Sequence, residues 1–245
     1  MTTTADAPAT ATLKMIRAEI SVRDFQRWMG TKRLQDPDHA MHCLMAECFG
    51  DLAPKPFRLI LPRGAPTGVL YGYGQADADA LREEAAIAAD PLQYRIVTKD
   101  LESKLMPSEW RAGRSLHFET RIRPTKRLKR PVGNGEHTAE RDAFLMQALD
   151  PKQETKSREE VYGVWLGEQL RKSGAAELNS SSLRSFLRTR SQRKQGGRQI
   201  EGPDAVMQGI LTIKDPEGFS SLLARGIGRN RAYGYGMILL RPGRG

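Results

Sequence analysis

Leu116-His117-Phe118-Glu119-Thr120-Arg121-Ile122-Arg123 alternates residue by residue between Leu, Phe, Thr, Ile and His, Glu, Arg, Arg. A period of two puts the first set on one face of a strand and the second on the other, which predicts a half-buried strand with one charged face. The elements before it fall into an order. Leu13 to Ile20 reads as a strand, followed by a basic loop with Arg23, Arg27, Lys32 and Arg33. Asp36-Pro37 has the pair expected at a helix start, Asp as cap and Pro in the first turn, and Gly50 offers a stop. Inside that helix Met41, Leu44, Met45 and Cys48 recur at core-facing spacing, and His39, His42, Cys43 and Ala46 form the stripe beside them. Phe57 to Leu61 and Val69 to Tyr73 read as two strands about a Pro/Gly turn, and Asp77 to Ala89 as a second helix. With Leu116 to Arg123 as the closing strand, residues 13–123 spell strand, helix, strand, strand, helix, strand. This is the ferredoxin-like order, shared with RNA-recognition modules, although the clustered strand aromatics of those modules are absent here.

The second half repeats that order in degenerate form. A basic segment, Pro124-Thr-Lys-Arg-Leu-Lys-Arg-Pro131, and Gly133-Asn-Gly135 read as a linker over 124–137 that carries Lys126 and Arg127. Ser157 to Lys172 is helical in pattern, Val206 to Ile213 a strand, Pro216 to Ala224 a helix and Met237 to Arg241 a closing strand. Between them, Ser180 to Arg198 holds Arg184, Arg188, Arg190, Arg193, Lys194 and Arg198 without one acidic residue, which suits a helical or hairpin finger; as a helix it would set Arg184 and Arg188 on one face. After Arg225 comes Gly226-Ile-Gly-Arg-Asn-Arg-Ala-Tyr-Gly-Tyr-Gly236. Gly226, Gly228, Gly234 and Gly236 permit positive φ and close backbone approach, so loop amides can face an anion while Arg229 and Arg231 supply forked charge. The expected fold is α+β: two tandem ferredoxin-like domains, 13–123 and 138–245, the second degenerate, with a basic finger (180–198) and a Gly-rich loop (225–236).

Composition points to the partner. The 245 residues hold 39 Lys and Arg against 29 Asp and Glu, a formal charge of +10, the electrostatic footprint of a nucleic-acid binder, with a membrane surface the weaker alternative. No apolar run approaches the roughly 20 residues that cross a bilayer, and Met1 to Thr12 reads as a disordered Thr/Ala leader on a soluble protein. Cys43 and Cys48 lack partners at metal spacing and read as core thiols in a reducing cytoplasm.

Four segments resemble the CRISPR-associated endoribonucleases that cut precursor CRISPR RNA in its repeats, in particular the CasE branch of type I-E systems and its type IV relatives. They are Asp38-His-Ala-Met-His42, Leu116 to Leu128, Gly209-Ile-Leu-Thr-Ile-Lys-Asp215, and the Gly loop with its tail Met237-Ile-Leu-Leu-Arg-Pro242. The resemblance implies two ferredoxin-like folds about a basic cleft, and cleavage without metal or cofactor at the 3′ base of a repeat hairpin. It also implies that the mature guide RNA stays bound within a multi-subunit surveillance complex. His42 matches the family's histidine and is the candidate base, because imidazole titrates near working pH. His39 stands where the CasE pattern often has Tyr and is the candidate acid or phosphate-positioning group. Arg23 and Arg33 are candidate cations for the transition state. Arg27, Arg123, Lys126, Arg127, the finger cations, Arg225, Arg229, Arg231 and the loop glycines are candidate RNA contacts. Glu47 departs from relatives that carry Lys there. Two other readings stand beside this one: a catalytically inactive RNA-binding subunit of the same fold, and a nucleic-acid-binding structural protein unrelated to CRISPR.

Overall fold

The computed structural model describes residues 12–132, 135–150, 154–192 and 199–242. The expected leader and the finger residues Arg193, Lys194 and Arg198 lie outside them. β1 (Lys14–Ser21) runs into α1 (Val22–Lys32), where a basic loop was expected. The helix forms because the Ser21 hydroxyl caps the Asp24 amide and because Phe25, Trp28 and Met29, at i, i+3 and i+4, are buried. α2 (Pro37–Phe49) begins and ends where the sequence indicates: Asp36 accepts from the amides of Asp38 and His39, and Gly50 closes the last turn on the Ala46 carbonyl. β2 (Phe57–Ile60), β3 (Thr67–Gly74), α3 (Ala78–Ala88) and α4 (Pro91–Thr98) follow.

The strand that closes this first unit is β4 (Glu102–Leu105), antiparallel to β1. The sheet order β2-β3-β1-β4 is ferredoxin-like. β5 (Ser115–Ile122), expected in that position, instead opens the second unit, paired on one side with β9 and on the other with β10. The change of sheet therefore falls between Leu105 and Ser115 and not at 123. The alternation of β5 is as read, with Leu116, Phe118, Thr120 and Ile122 buried and His117 exposed; what alternation cannot reveal is the sheet that receives the buried face.

Once β5 is moved, the second unit is complete and not degenerate. The expected linker is a hairpin of β6 (Thr125–Val132) and β7 (Gly135–Asp142), inserted before α5 (Ala143–Ala148) and α6 (Arg158–Ser173). β8 (Ala176–Gln192), β9 (Gln199–Ile213), α7 (Pro216–Arg225) and β10 (Ile238–Pro242) complete it. The sheet order β10-β5-β9-β8 is the first sheet's order over again: each opening strand lies between the third and fourth strands of its unit, with the second outermost. Each unit has its own apolar core.

The finger is a strand pair. β8 and β9 pair from Ala176↔Ile213 to Gln192↔Gln199, with register shifts between Leu178 and Ser180 and between Leu183 and Ser185, whereas β5 covers β9 only from Thr212 to Ala205. Beyond Ala205 the pair continues as a two-stranded ribbon with Arg188 and Arg190 on it. Arg184 sits in a register shift between Leu183 and Ser185, so the helical face expected for Arg184 and Arg188 is not formed.

The units are joined by buried charge. Arg121 of β5 donates from Nη1 to Asp38 of α2 at 2.6 Å and from Nε to Asp204 of β9 at 2.7 Å, and its Nη2 reaches the other Asp204 oxygen at 2.5 Å. The three side chains are 13, 14 and 6 % exposed. Burial pushes the Asp38 carboxyl above its ordinary range, with Arg121 pulling it back. Removing one partner of such a group leaves uncompensated charge in a medium that solvates it poorly. Arg121→Ala is expected to lower stability by about 3–5 kcal/mol in urea unfolding, and Asp38→Asn with Asp204→Asn in the same chain to recover much of that; a loss below about 1 kcal/mol refutes the linchpin role.

Candidate active site and RNA interface

α2 offers His39 and His42, one turn apart and both half-buried, toward the loop that follows α7. That loop has positive φ at Gly226, Gly228, Gly234 and Gly236, the conformation that glycine permits. Gly234 shows why: with φ +76°, a Cβ there would stand 2.5 Å from an Asp38 carboxylate oxygen. Only glycine lets the loop come down on the start of α2. The result is that Tyr233, at the end of a single 3₁₀ turn over Arg231–Tyr233, lies edge-to-face against both histidines, 5.7 Å from the His39 ring and 5.2 Å from that of His42.

The loop spends several of its amides internally. Those of Gly226, Ile227, Tyr233 and Gly236 donate to the carbonyls of Leu222, Gly236, Asn230 and Arg121. The anion cradle expected from amides is not built from these four, and the loop's offered charge is chiefly its side chains. Arg231 donates to the Arg225 carbonyl at 2.8 Å, Arg229 pairs with Glu140 of β7, and Arg225 is exposed.

Two of the cavities beside this roof are lined by its arginines. Lys55, Arg127, Glu140 and Gly228 to Tyr233 line one of about 630 Å³; Arg123, Lys126, Arg127, Arg225, Arg229 and Arg231 contribute to another of about 800 Å³, where Trp165 forms part of the wall. Arg123 is buried, with its guanidinium over the Tyr235 ring at 5.7 Å, so any ligand contact it makes is through the cavity it lines. Arg184 pairs with Glu119 at the root of the ribbon and Arg188 with Glu201 across it at 3.0 Å. The side chains of Arg190, Arg193, Lys194 and Arg198 lie outside the described residues. Arg23 and Arg27 are exposed on α1, which packs on α4 and β1, and Arg33 caps that helix; among the described residues no hydrogen bond, ion pair or ring contact joins them to His39 or His42. Glu47 faces elsewhere, bound to Lys32 at 2.8 Å and to Gln93 at 2.6 Å.

Sequence reading misses two residues here, Lys55 and Tyr233. Neither carries a local signal: Lys55 stands alone before Pro56, and Tyr233 is one aromatic among glycines. Burial holds the His42 imidazole below its ordinary 6.5, with the positive neighbours His39 and Lys55 acting in the same direction. His42 thus keeps a proton-accepting nitrogen at pH values where an ordinary imidazole is already charged. Cys48 is buried and its thiol is pushed up to about 12, and Cys43 is raised in the same way, so neither is a ready nucleophile. Among the described residues no three His, Cys, Asp or Glu side chains gather as metal ligands, and no helix is long and apolar enough to cross a membrane.

Fold and site together define a protein of the tandem ferredoxin-like class, with a histidine pair and a basic cleft where its units meet. The chain belongs to the CRISPR associated protein family, whose model matches residues 15–242. Comparison with curated proteins finds no match. Among solved structures, the fold is similar to that of Thermus thermophilus Cse3 bound to an RNA representing a pre-cleavage complex, with a TM-score of 0.62 at 16 % identity over 94 % of this chain and 100 % of that one. It is also similar to Cas6e from Escherichia coli K-12, with a TM-score of 0.57 at 16 % identity over 94 % and 99 %. A chain of a CRISPR RNA-guided surveillance complex matches with a TM-score of 0.54 at 15 % identity over 94 % and 99 %.

Replacing Lys55 by Gln takes a positive neighbour from His42 and is expected to move its titration to higher pH, read by NMR of the ring protons. An unmoved or lower midpoint contradicts the assigned electrostatics.

Proposed function

We propose that the protein is a metal-independent endoribonuclease that binds the hairpin of a precursor CRISPR repeat RNA and cuts at the 3′ base of its stem. The observation that carries this reading is the His39/His42 pair beneath an arginine-bearing loop in a member of the CRISPR associated family. Neighbours with the same fold include an endoribonuclease held with RNA. In the proposed reaction His42 takes the proton of a ribose 2′-hydroxyl, whose oxygen attacks the adjacent phosphorus in line. The P–O5′ bond breaks, His39 returns a proton to the leaving oxygen, and the products are a 2′,3′-cyclic phosphate and a 5′-hydroxyl. Lys55 and Arg231, which line the cavity beside Tyr233, are proposed to balance the charge that grows on the phosphorane, where each fixed cation is worth a few kcal/mol. The exposed Arg23 and Arg33 are better suited to holding RNA on the outer face of α1 than to chemistry at His42.

Binding is assigned to the two basic cavities and to the ribbon. A-form RNA is read chiefly by shape and phosphates, and a narrow two-stranded ribbon presents arginines to a stem without the bulk of a domain. The mature RNA is proposed to remain bound, with the protein seated in a surveillance complex.

With repeat RNA in EDTA, cleavage is expected to proceed, and a single 2′-deoxy at the scissile nucleotide to abolish it; inhibition by EDTA, or cutting of the deoxy substrate, defeats the mechanism. His42→Ala is expected to slow single-turnover cleavage roughly 100-fold or more with hairpin affinity retained. Near-normal cutting would transfer the base to another group, and no cutting by the wild type would favour the RNA-binding subunit. Neutralising Arg184, Arg188 and Arg190 together is expected to weaken hairpin binding and flatten its log-log salt dependence by about one unit for each phosphate no longer neutralised. An unchanged salt slope removes the ribbon from the interface.

A further inference from the structure

Tyr233 is the side chain of the loop that lies against both histidines. The planes cross at 64° for His39 and 62° for His42, the edge-to-face arrangement in which a ring's positive edge meets a negative face. Its seat is over-determined. The Tyr233 amide is tied to the Asn230 carbonyl at 2.8 Å, the next residue is a glycine pressed on Asp38, and the residue after that, Tyr235, lies under the Arg121 guanidinium at 4.5 Å. The loop from the second unit is thus held by its own turn before Tyr233 and, directly after it, by the charge cluster that holds the first unit's α2.

We propose that Tyr233 is a positioning residue: its ring, delivered from the second unit, fixes the side-chain orientations of His39 and His42 on the first, so that the histidine pair is completed only when the two units are docked. The inference rests on the nuclease reading for its kinetic arm but not for its spectroscopic one. A histidine at the end of two rotatable bonds on a half-exposed helix face samples several rotamers, and reaction in line tolerates little misplacement. A ring that crowds both imidazoles removes those alternatives. It also shields His42 from water. Among the described residues, the titratable and charged groups that act on His42 are His39 on its own helix and Lys55 on the segment before β2, with the Tyr233 ring against it from the loop.

The test uses the full chain with Tyr233→Phe, Tyr233→Ala and Tyr233→Leu, repeat-hairpin RNA as substrate, and NMR titration of His42. Tyr233→Phe keeps the ring and is expected to cleave near the wild-type rate with the His42 midpoint in place. Tyr233→Ala is expected to lose roughly 10- to 100-fold in single-turnover rate at saturating protein, with the His42 midpoint moved up as water reaches the ring. Tyr233→Leu shifts both in the same direction and serves if the alanine variant does not fold. Equal losses in the Phe and Ala variants overturn the proposal, because the hydroxyl would then be the acting group. A rate loss with the midpoint unmoved, or no change in either, overturns it as well. If the wild type cuts no RNA, the nuclease reading fails and the His42 midpoint in Tyr233→Ala alone decides.

Discussion

Arg121 is the residue on which the rest of the arrangement depends. One guanidinium holds a carboxylate on α2 of the first unit and another on β9 of the second, and lies over Tyr235 of the loop, while the residue's own carbonyl accepts the Gly236 amide. A planar, permanently charged fork does this where a lysine ammonium would not, because two carboxylates and an aromatic face must be met in fixed directions. Nearby Arg58 is largely withdrawn from water too, and its guanidinium is drawn down by that burial and by Arg121, while Glu119, Asp38 and Asp204 oppose the effect. Two cations and two aspartates so buried are costly unless their geometry is kept. The docking of the units is therefore specified by charge as well as by apolar surface.

That docking makes the site. The histidines belong to one ferredoxin-like unit and Tyr233, Arg229 and Arg231 to the other, and Gly234 is where the two come close enough to share a wall. The β6/β7 hairpin adds a third contributor: Glu140 of β7 holds Arg229, and Arg127 of β6 lines both cavities beside the loop. The basic cleft is therefore lined from the hairpin, from α6 and from the loop, with Lys55 of the first unit at its edge.

Much of the fold was legible where a local rule had a local cause. Asp36, Pro37 and Gly50 bound α2 because caps act on amides within a turn. The loop glycines permitted positive φ, and the four have it. α1 was legible as well, through Ser21, Phe25, Trp28 and Met29, but its arginines masked the apolar stripe and suggested a loop. β4 offered nothing to read, since Glu102-Ser-Lys-Leu105 is exposed throughout and carries no alternation. With β4 invisible, β5 took its place in the order, and the second unit was read as degenerate.

By itself the sequence determined the helix that carries the histidines and the helix that leads into the Gly loop, the alternation of β5, the basic character of the ribbon and the loop, and the candidacy of His39 and His42. These are properties of neighbouring residues, set by caps, periodicity and charge. Only the tertiary structure decided which sheet receives β5, that Arg184, Arg188 and Arg190 lie on a strand pair, that Arg123 is buried, and that Lys55 and Tyr233 stand beside the histidines. Those depend on which surfaces meet across roughly 190 residues of chain between His42 and Tyr233, and such pairing is settled by the burial of apolar faces and of the Arg121 cluster, which no local pattern encodes.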